Sequence, residues 1–289
     1  MAKTRESFDN YYDEINRDLY EGYNEKLENY LNKEYGDKWN FHMKFVNESY
    51  YPLTILGSKK ELEKLKKENE KYRYYVKEKN GSYGRDIVIT KNPYNFFKNS
   101  DQLNRYVIQR EIKSDLCNKR KYDYRIYVLM LRKGDEMCYY YYKKYVIRNC
   151  LEEYDEKSLG KYSNITNHHI YSLKKLDKNF YVLNEDFERD DSSKIERLNK
   201  KIVKKLKKDD KFYMLMRNNN FRILGLDYVV EKDTRKLYVL EINTKPGVYY
   251  PDVKEDYIIK YNNFHKNIVR DLNNILIDNK SCENNWIKV

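Results

Sequence analysis

The chain has 289 residues, 40% of them hydrophobic and 36% charged, and its 58 Lys and Arg against 46 Asp and Glu leave a net charge of +12. That is enough for a folded soluble protein of one large domain or two to three small lobes, and the positive balance favours an acidic partner: nucleic acid, an anionic membrane surface, an acidic peptide or a polyphosphate. Four cysteines without a CxxC spacing exclude a disulfide framework and suit reduced thiols in a cytoplasmic protein, residues 1–10 hold no apolar leader core, and no apolar run approaches the roughly 18 residues of a spanning helix.

Residues 4–35 carry Phe8, Tyr12, Ile15, Leu19, Tyr23, Leu27 and Leu31 at helical spacing, with Gly22 and Gly36 as breaks. Ser58 and Glu61 form a capping-box pattern opening a helix over 58–70. Strands are expected at 72–77 and 86–90 around a loop, and at 106–112; residues 122–131 and 137–147 read as a hairpin turned at Lys133-Gly134-Asp135. Ser193 and Glu196 open an amphipathic helix bearing Ile195, Leu198, Ile202 and Leu206, and a terminal helix is expected over 254–278. Helices and hairpins mix without regular β-α alternation, which makes the class α+β.

Two runs separated by a six-residue loop, Leu224 to Val230 and Leu237 to Asn243, read as a further hairpin. If it is symmetric about position 234, Asp227 faces Glu241 across the strands, and Asn243 points to the same side of the sheet. Opposed carboxylates repel, so two of them converging with an amide oxygen suggest a cation, and hard oxygen donors of this kind suit Mg²⁺; the alternative is a surface-facing hairpin edge whose charges are solvated. Lys77 ends a strand-like run and is followed by Asn80-Gly81-Ser82-Tyr83-Gly84-Arg85. Such a loop admits phosphate oxygens to its backbone N–H groups, with Lys77 and Arg85 neutralising them, and reads equally as an ordinary turn. Alternation places Lys121, Asp123 and Arg125 on one face of a strand, which fits either a sheet facing water or a sheet lining an anionic site. Thr166 and Asn167 read as turn-formers, and the adjacent His168 and His169 do not make a zinc site.

In order, these pieces resemble the tubulin tyrosine ligase-like family of the ATP-grasp superfamily. The resemblance is carried by Lys77, Gly81 to Gly84, Gln109-Arg110-Glu111-Ile112, the run Lys121 to Leu129, Arg148, Thr166-Asn167, Gly225-Leu226-Asp227 and Leu240-Glu241-Ile242-Asn243-Thr244-Lys245-Pro246. It implies an α+β ATP-grasp fold with small antiparallel or mixed sheets flanked by helices and a nucleotide between two lobes. Residues 1–66 would form a mostly helical N-terminal region, 67–112 the central lobe and 113–289 the C-terminal lobe. It further implies an ATP-dependent carboxylate-amine ligase that adds an amino acid to a protein carboxylate through an acyl phosphate, with an acidic, tubulin-like tail as acceptor. ATP would be bound by Lys77, Gly81, Ser82, Gly84, Arg85, by Gln109, Arg110, Glu111 and Ile112 beside adenine, and by Thr166 and Asn167. Lys121, Arg125 and Arg148 would serve catalysis, and Asp227, Glu241 and Asn243 would hold Mg²⁺. The chain departs from the family pattern at Glu78, Asp86 and Asn164, where proline, a small residue and histidine are usual. The alternatives are a basic nucleic-acid-binding protein and an ATP-grasp protein that binds nucleotide without ligating. A protein kinase is excluded by the absence of H-R-D and D-F-G.

Overall fold

Among the described residues, three antiparallel sheets organise the fold. The structure is a computed structural model and describes residues 6–7, 24–67, 71–81, 87–98, 102–167, 178–218, 220–249, 256–277 and 285–289. In chain order the strands and helices begin with β1 (Glu6–Ser7), α1 (Glu25–Leu31), α2 (Lys38–Phe45), β2 (Thr54–Leu56), α3 (Lys59–Lys67), β3 (Tyr74–Glu78), β4 (Val88–Thr90) and α4 (Pro93–Phe97). They continue through β5 (Tyr106–Arg110), β6 (Leu116–Cys117), β7 (Arg120–Lys133), β8 (Glu136–Tyr142), β9 (Val146–Asn149) and β10 (Tyr181–Leu183). The last are α5 (Ser192–Leu206), α6 (Asp210–Leu215), β11 (Phe221–Val230), β12 (Leu237–Asn243), β13 (Gly247–Tyr249), α7 (Asp256–Ile277) and β14 (Trp286–Lys288).

The smaller sheet runs β2-β5-β3-β4. Its apolar face is closed by Leu62 and Leu65 of α3 and Phe97 of α4, packed on Tyr74, Val76 and Ile108. The main sheet runs β10-β9-β7-β11-β12, with β8 also on β7 and β14 on β8. Strand period two divides β7 between two cores. Tyr122, Tyr124, Ile126, Val128 and Met130 pack under α5 with Ile195, Leu198, Ile202 and Leu206. Tyr127, Leu129 and Leu131 pack on the other side under Ile258, Phe264, Ile268 and Leu272 of α7. Each such aliphatic side chain, taken out of water, stabilises the fold by about 1.5–3 kcal/mol.

Some details differ from expectation. Glu6–Ser7, inside a stretch read as helical, pairs instead with β13. The described remainder of that stretch is helical from Glu25, where the Asn24 side chain accepts from Leu27 N–H, and it ends in a π-helical turn over Asn32–Gly36. The strand expected over 137–147 breaks after Tyr142, where Lys143 N–H bonds Asn285 O beside β14, and resumes as β9 on the first half of β7. The helix expected at Ser193 starts at Ser192 behind Asp191. Asp191 does not cap it, because its carboxylate is taken by Tyr124, Lys194 and Arg235. Among the described residues no helix is long and apolar enough to cross a membrane.

Candidate active site

The hairpin β11-β12 carries the centre of the site. Next to its loop the strands pair as Val230↔Leu237 and Tyr228↔Val239, and a bulge at Leu240 then shifts the register so that Asp227 faces Glu241. The bulge decides which way Glu241 points. Leu237 and Val239 face the core, as does Ile242, so strict alternation would have sent position 241 into the core as well. One extra residue turns Glu241 to the opposite face, beside Asp227. Asn243 lies opposite Gly225, its Oδ1 accepting Lys245 N–H at 3.0 Å.

Asp227 is held by two arginines. Arg125 Nε and Nη2 donate to its two oxygens at 2.5 and 3.0 Å, and Arg148 Nη2 lies 2.9 Å from Oδ2. The same Arg148 makes a bidentate pair with Asp123 at 2.7 and 2.6 Å, and Thr166 Oγ1 donates to Asp123. These four charged side chains are each 3–5% exposed. Burial alone would push Asp227 up, but Arg125 and Arg148 outweigh it and hold the carboxyl well below its usual range. Glu241 goes the other way: desolvation first, then the neighbouring Asp227 charge, raise it. The charged stripe of β7 therefore faces an ion-pair network in the protein and not bulk water.

The network also explains why residue 225 is glycine. A Cβ there would lie 2.9 Å from Pro246 Cβ and 3.2 Å from Arg125 Cδ and Nη1. Gly225→Ala is expected to displace the Arg125 guanidinium and cost about 1–3 kcal/mol, read as a lowered thermal midpoint.

The smaller sheet brings a second set of side chains to the same cleft. Lys77 Nζ donates to Gln109 Oε1 at 2.7 Å, and Gln109 Nε2 in turn to Thr54 Oγ1 at 3.2 Å. Burial lowers the Lys77 ammonium to about 8, helped by Lys38 and opposed by the carboxylates of Glu241 and Asp227, so Lys77 stands within reach of the hairpin's charges. Gly81 closes the turn after β3, its N–H on Glu78 O at 3.1 Å. Arg110 lays its guanidinium over Tyr72 at 4.5 Å, Glu111 pairs with Lys121, and Ile112 O accepts the Ser114 hydroxyl at 3.1 Å. Ser82, Gly84, Arg85, Asp86, His168 and His169 lie outside the described residues. Glu78 pairs with Arg105 at the strand end.

Several neighbours of these residues complete the site, and of them Asn164 was marked in the sequence as a departure from the family pattern. Asn164 Oδ1 accepts from Lys121 at 2.9 Å and from Arg73 at 3.2 Å, while its Nδ2 donates to Gly160 O at 2.8 Å. Lys121 Nζ also lies 4.3 Å from the Tyr154 ring centroid. Burial lowers the Lys121 ammonium, and Glu111 opposes that. Arg73, Tyr154 and Lys38 sit in segments without recognisable motifs. Strand period had already placed Asp123 on one face with Lys121 and Arg125.

Among the described residues there is no cluster of three or more His, Cys, Asp or Glu side chains fit to hold a metal. A cation here would use two carboxylates and the Asn243 amide oxygen. As donor types, two carboxylates and an amide oxygen suit a hard divalent ion, which would displace an arginine from an Asp227 oxygen and favour the charged form of Glu241.

A lysine strand on one sheet lies within electrostatic reach of a carboxylate hairpin on the other, in an α+β fold consistent with the ATP-grasp type. The chain belongs to the tubulin-tyrosine ligase family of that superfamily, whose family model matches residues 11–281. Members of the family are ATP-dependent ligases and generally use ATP with Mg²⁺. No curated protein matches the chain.

Proposed function

We propose that this ligase joins the amine of a free amino acid to a carboxylate on an acidic protein or peptide, through an acyl phosphate. The observation that carries the reading is the Asp227–Glu241 carboxylate pair facing Lys77 across the cleft, with Arg125 and Arg148 fixed behind it. In this reading Lys77 and the loop of Gly81, Ser82, Gly84 and Arg85 bind the ATP phosphates. Gln109, Arg110, Glu111 and Ile112 border adenine, and Thr166 and Asn167 also line the nucleotide site. Asp227, Glu241 and Asn243 hold Mg²⁺, which when bound neutralises phosphate charge.

An acceptor carboxylate oxygen bonds to the γ-phosphorus as the bond to the ADP oxygen breaks. The amino-acid nitrogen then bonds to the acyl carbon, the bond from that carbon to the phosphate oxygen breaks, and the nitrogen loses its proton to solvent. Phosphoryl transfer needs positioning and charge neutralisation more than covalent help, and this chain's part is to place cations. In this reading Lys121, Arg125 and Arg148 serve the acceptor carboxylate, their own geometry fixed by Glu111, Asp227 and Asp123. Glu78, which replaces the usual proline, is taken up by Arg105, and this favours a phosphate beside Lys77.

The test is ADP release with Mg²⁺, a panel of acidic peptides and pooled amino acids, followed by mass spectrometry of the peptides. The expected result is a peptide-dependent release of ADP and a mass gain of one or more amino-acid residues. Tight oligonucleotide binding with no ATP turnover would replace this reading with the nucleic-acid one.

Lys77 supplies a pH prediction. With its ammonium lowered to about 8, the ligand-free protein has lost roughly half that proton at pH 8, and a bound polyphosphate pulls the proton back. ATP affinity is therefore expected to fall as pH rises through about 8. Calorimetry at pH 8 in buffers of different ionisation enthalpy should show net proton uptake on binding, and Lys77→Met should abolish it.

A further inference from the structure

The open end of the β11-β12 hairpin is closed by a side chain from α1. β12 ends at Asn243, and the chain turns at once: Asn243 Oδ1 accepts Lys245 N–H at 3.0 Å, a turn that a short amide side chain forms on its own backbone. That bond takes one lone pair of the amide oxygen and fixes the direction of the other. The two residues after Asn243 are both held from the N-terminal region. The Thr244 hydroxyl donates to Asn32 Oδ1, and Lys245 Nζ lies 3.3 Å from Glu28 Oε1. Asn32 Nδ2 donates to that same Glu28 oxygen at 3.0 Å, so the two grips share one carboxylate. Glu28 and Asn32 are four residues apart on a helical path, which brings both to the same turn.

Glu28 is 2% exposed. A carboxylate so deep needs a partner, and a close pair with Arg222 at the start of β11 would meet that need. Arg222 Nε stands 3.9 Å from Oε2, however, while Oε1 is given to Lys245 and Asn32. The Lys245 side chain is 41% exposed and could keep its charge in water, yet it is drawn to the buried carboxylate. The buried charge is therefore directed at the turn that follows Asn243. We propose that Glu28 is a positioning residue for the cation site: it staples the open end of the hairpin between Arg222 and Lys245 and so sets the aim of the Asn243 amide oxygen. The proposal rests on the reading of Asp227, Glu241 and Asn243 as Mg²⁺ ligands and adds to them a residue that touches neither cation nor nucleotide. Groups that orient a metal's ligands from behind are worth about 10–100-fold in metal affinity.

The test measures Mn²⁺ binding by the full chain from the electron paramagnetic resonance of the free ion, with and without a non-hydrolysable ATP analogue, so that no turnover is needed. Asn243→Ala, Glu28→Gln, Lys245→Met and Lys245→Arg are compared with the parent, each with a thermal melt. Glutamine keeps the shape of Glu28 and an acceptor for Asn32, and removes the charge that draws Lys245. Asn243→Ala, Glu28→Gln and Lys245→Met are each expected to weaken the Kd for Mn²⁺ about tenfold, with Lys245→Arg within about threefold of the parent. The double variant Glu28→Gln with Lys245→Met is expected to bind no more weakly than Glu28→Gln alone, since both break one contact. Where Glu28→Gln does not fold, Lys245→Met, at a partly exposed position, carries the test. Mn²⁺ affinity unchanged in Glu28→Gln and Lys245→Met, whatever the midpoint does, would make Glu28 a structural tie and overturn the proposal alone. A parent chain that binds no Mn²⁺, or an Asn243→Ala variant that binds it unchanged, would overturn the metal reading and this inference together.

Discussion

Glu241→Gln is expected to lower the ATP turnover of the chain about a thousandfold while leaving its thermal midpoint at pH 7 unchanged or slightly higher. The two halves of this result have one cause. Glu241 faces Asp227 across β11 and β12, and desolvation and that neighbour both raise it. A carboxyl raised in the folded state contributes stability at low pH that is lost as pH rises through its folded value. Near neutrality the raised Glu241 carboxyl therefore works against folding, and glutamine, of the same shape, removes that opposition. The same negative charge is what a cation on the phosphates would need. Turnover measured by ADP release and thermal melts at several pH values check both halves: the parent should gain stability on mild acidification and the glutamine variant should gain less. Retained turnover would remove Glu241 from the metal site, and a large fall in the midpoint would mean that its carboxylate is a structural partner.

How far this site was legible in the sequence depends on the kind of signal. Apolar periodicity located α5 and α7, because burial on one face leaves a repeat in the chain. The facing of Asp227 and Glu241 was legible only by assuming a centre at position 234. The pairing next to the loop obeys a different centre, and the bulge at Leu240 restores the assumed one. A bulge leaves no mark in composition, so an expectation of strict pairing would have set Leu240 against Asp227. The charged stripe on β7 left two readings open, because alternation says which residues share a face and not what covers it. Its cover comes from Arg148 on β9 and Asp227 on β11, distant in the chain. Glu28 was illegible for the same reason: it meets the end of the hairpin through contacts with Lys245 and Asn32 that no local pattern encodes.

The largest expected loss of stability follows from Arg148→Met. Arg148 touches both Asp123 and Asp227, and all three are about 5% exposed or less. Removing one member of a buried ion-pair network leaves an uncompensated charge and costs about 3–5 kcal/mol. For a chain of this size that lowers the thermal midpoint by about 5–8 °C. The conservative change Arg148→Lys is expected to fall short of the parent as well, since a point charge cannot replace the two-pronged pairing with Asp123. The loss should also be unequal. Without Arg148, Asp227 keeps both bonds from Arg125, whereas Asp123 keeps the Thr166 hydroxyl and no charged partner among those described. Most of the destabilisation is therefore the cost of Asp123 standing as a buried anion. Adding Asp123→Asn to Arg148→Met is expected to recover about 1–2 kcal/mol, because the amide is neutral and still accepts from Thr166. Adding Asp227→Asn instead should recover nothing, since it strands the Arg125 guanidinium. Denaturant titrations of the parent, the single and the two double variants read this ordering directly, and equal recovery by both second substitutions would show that Arg148 serves the two carboxylates alike.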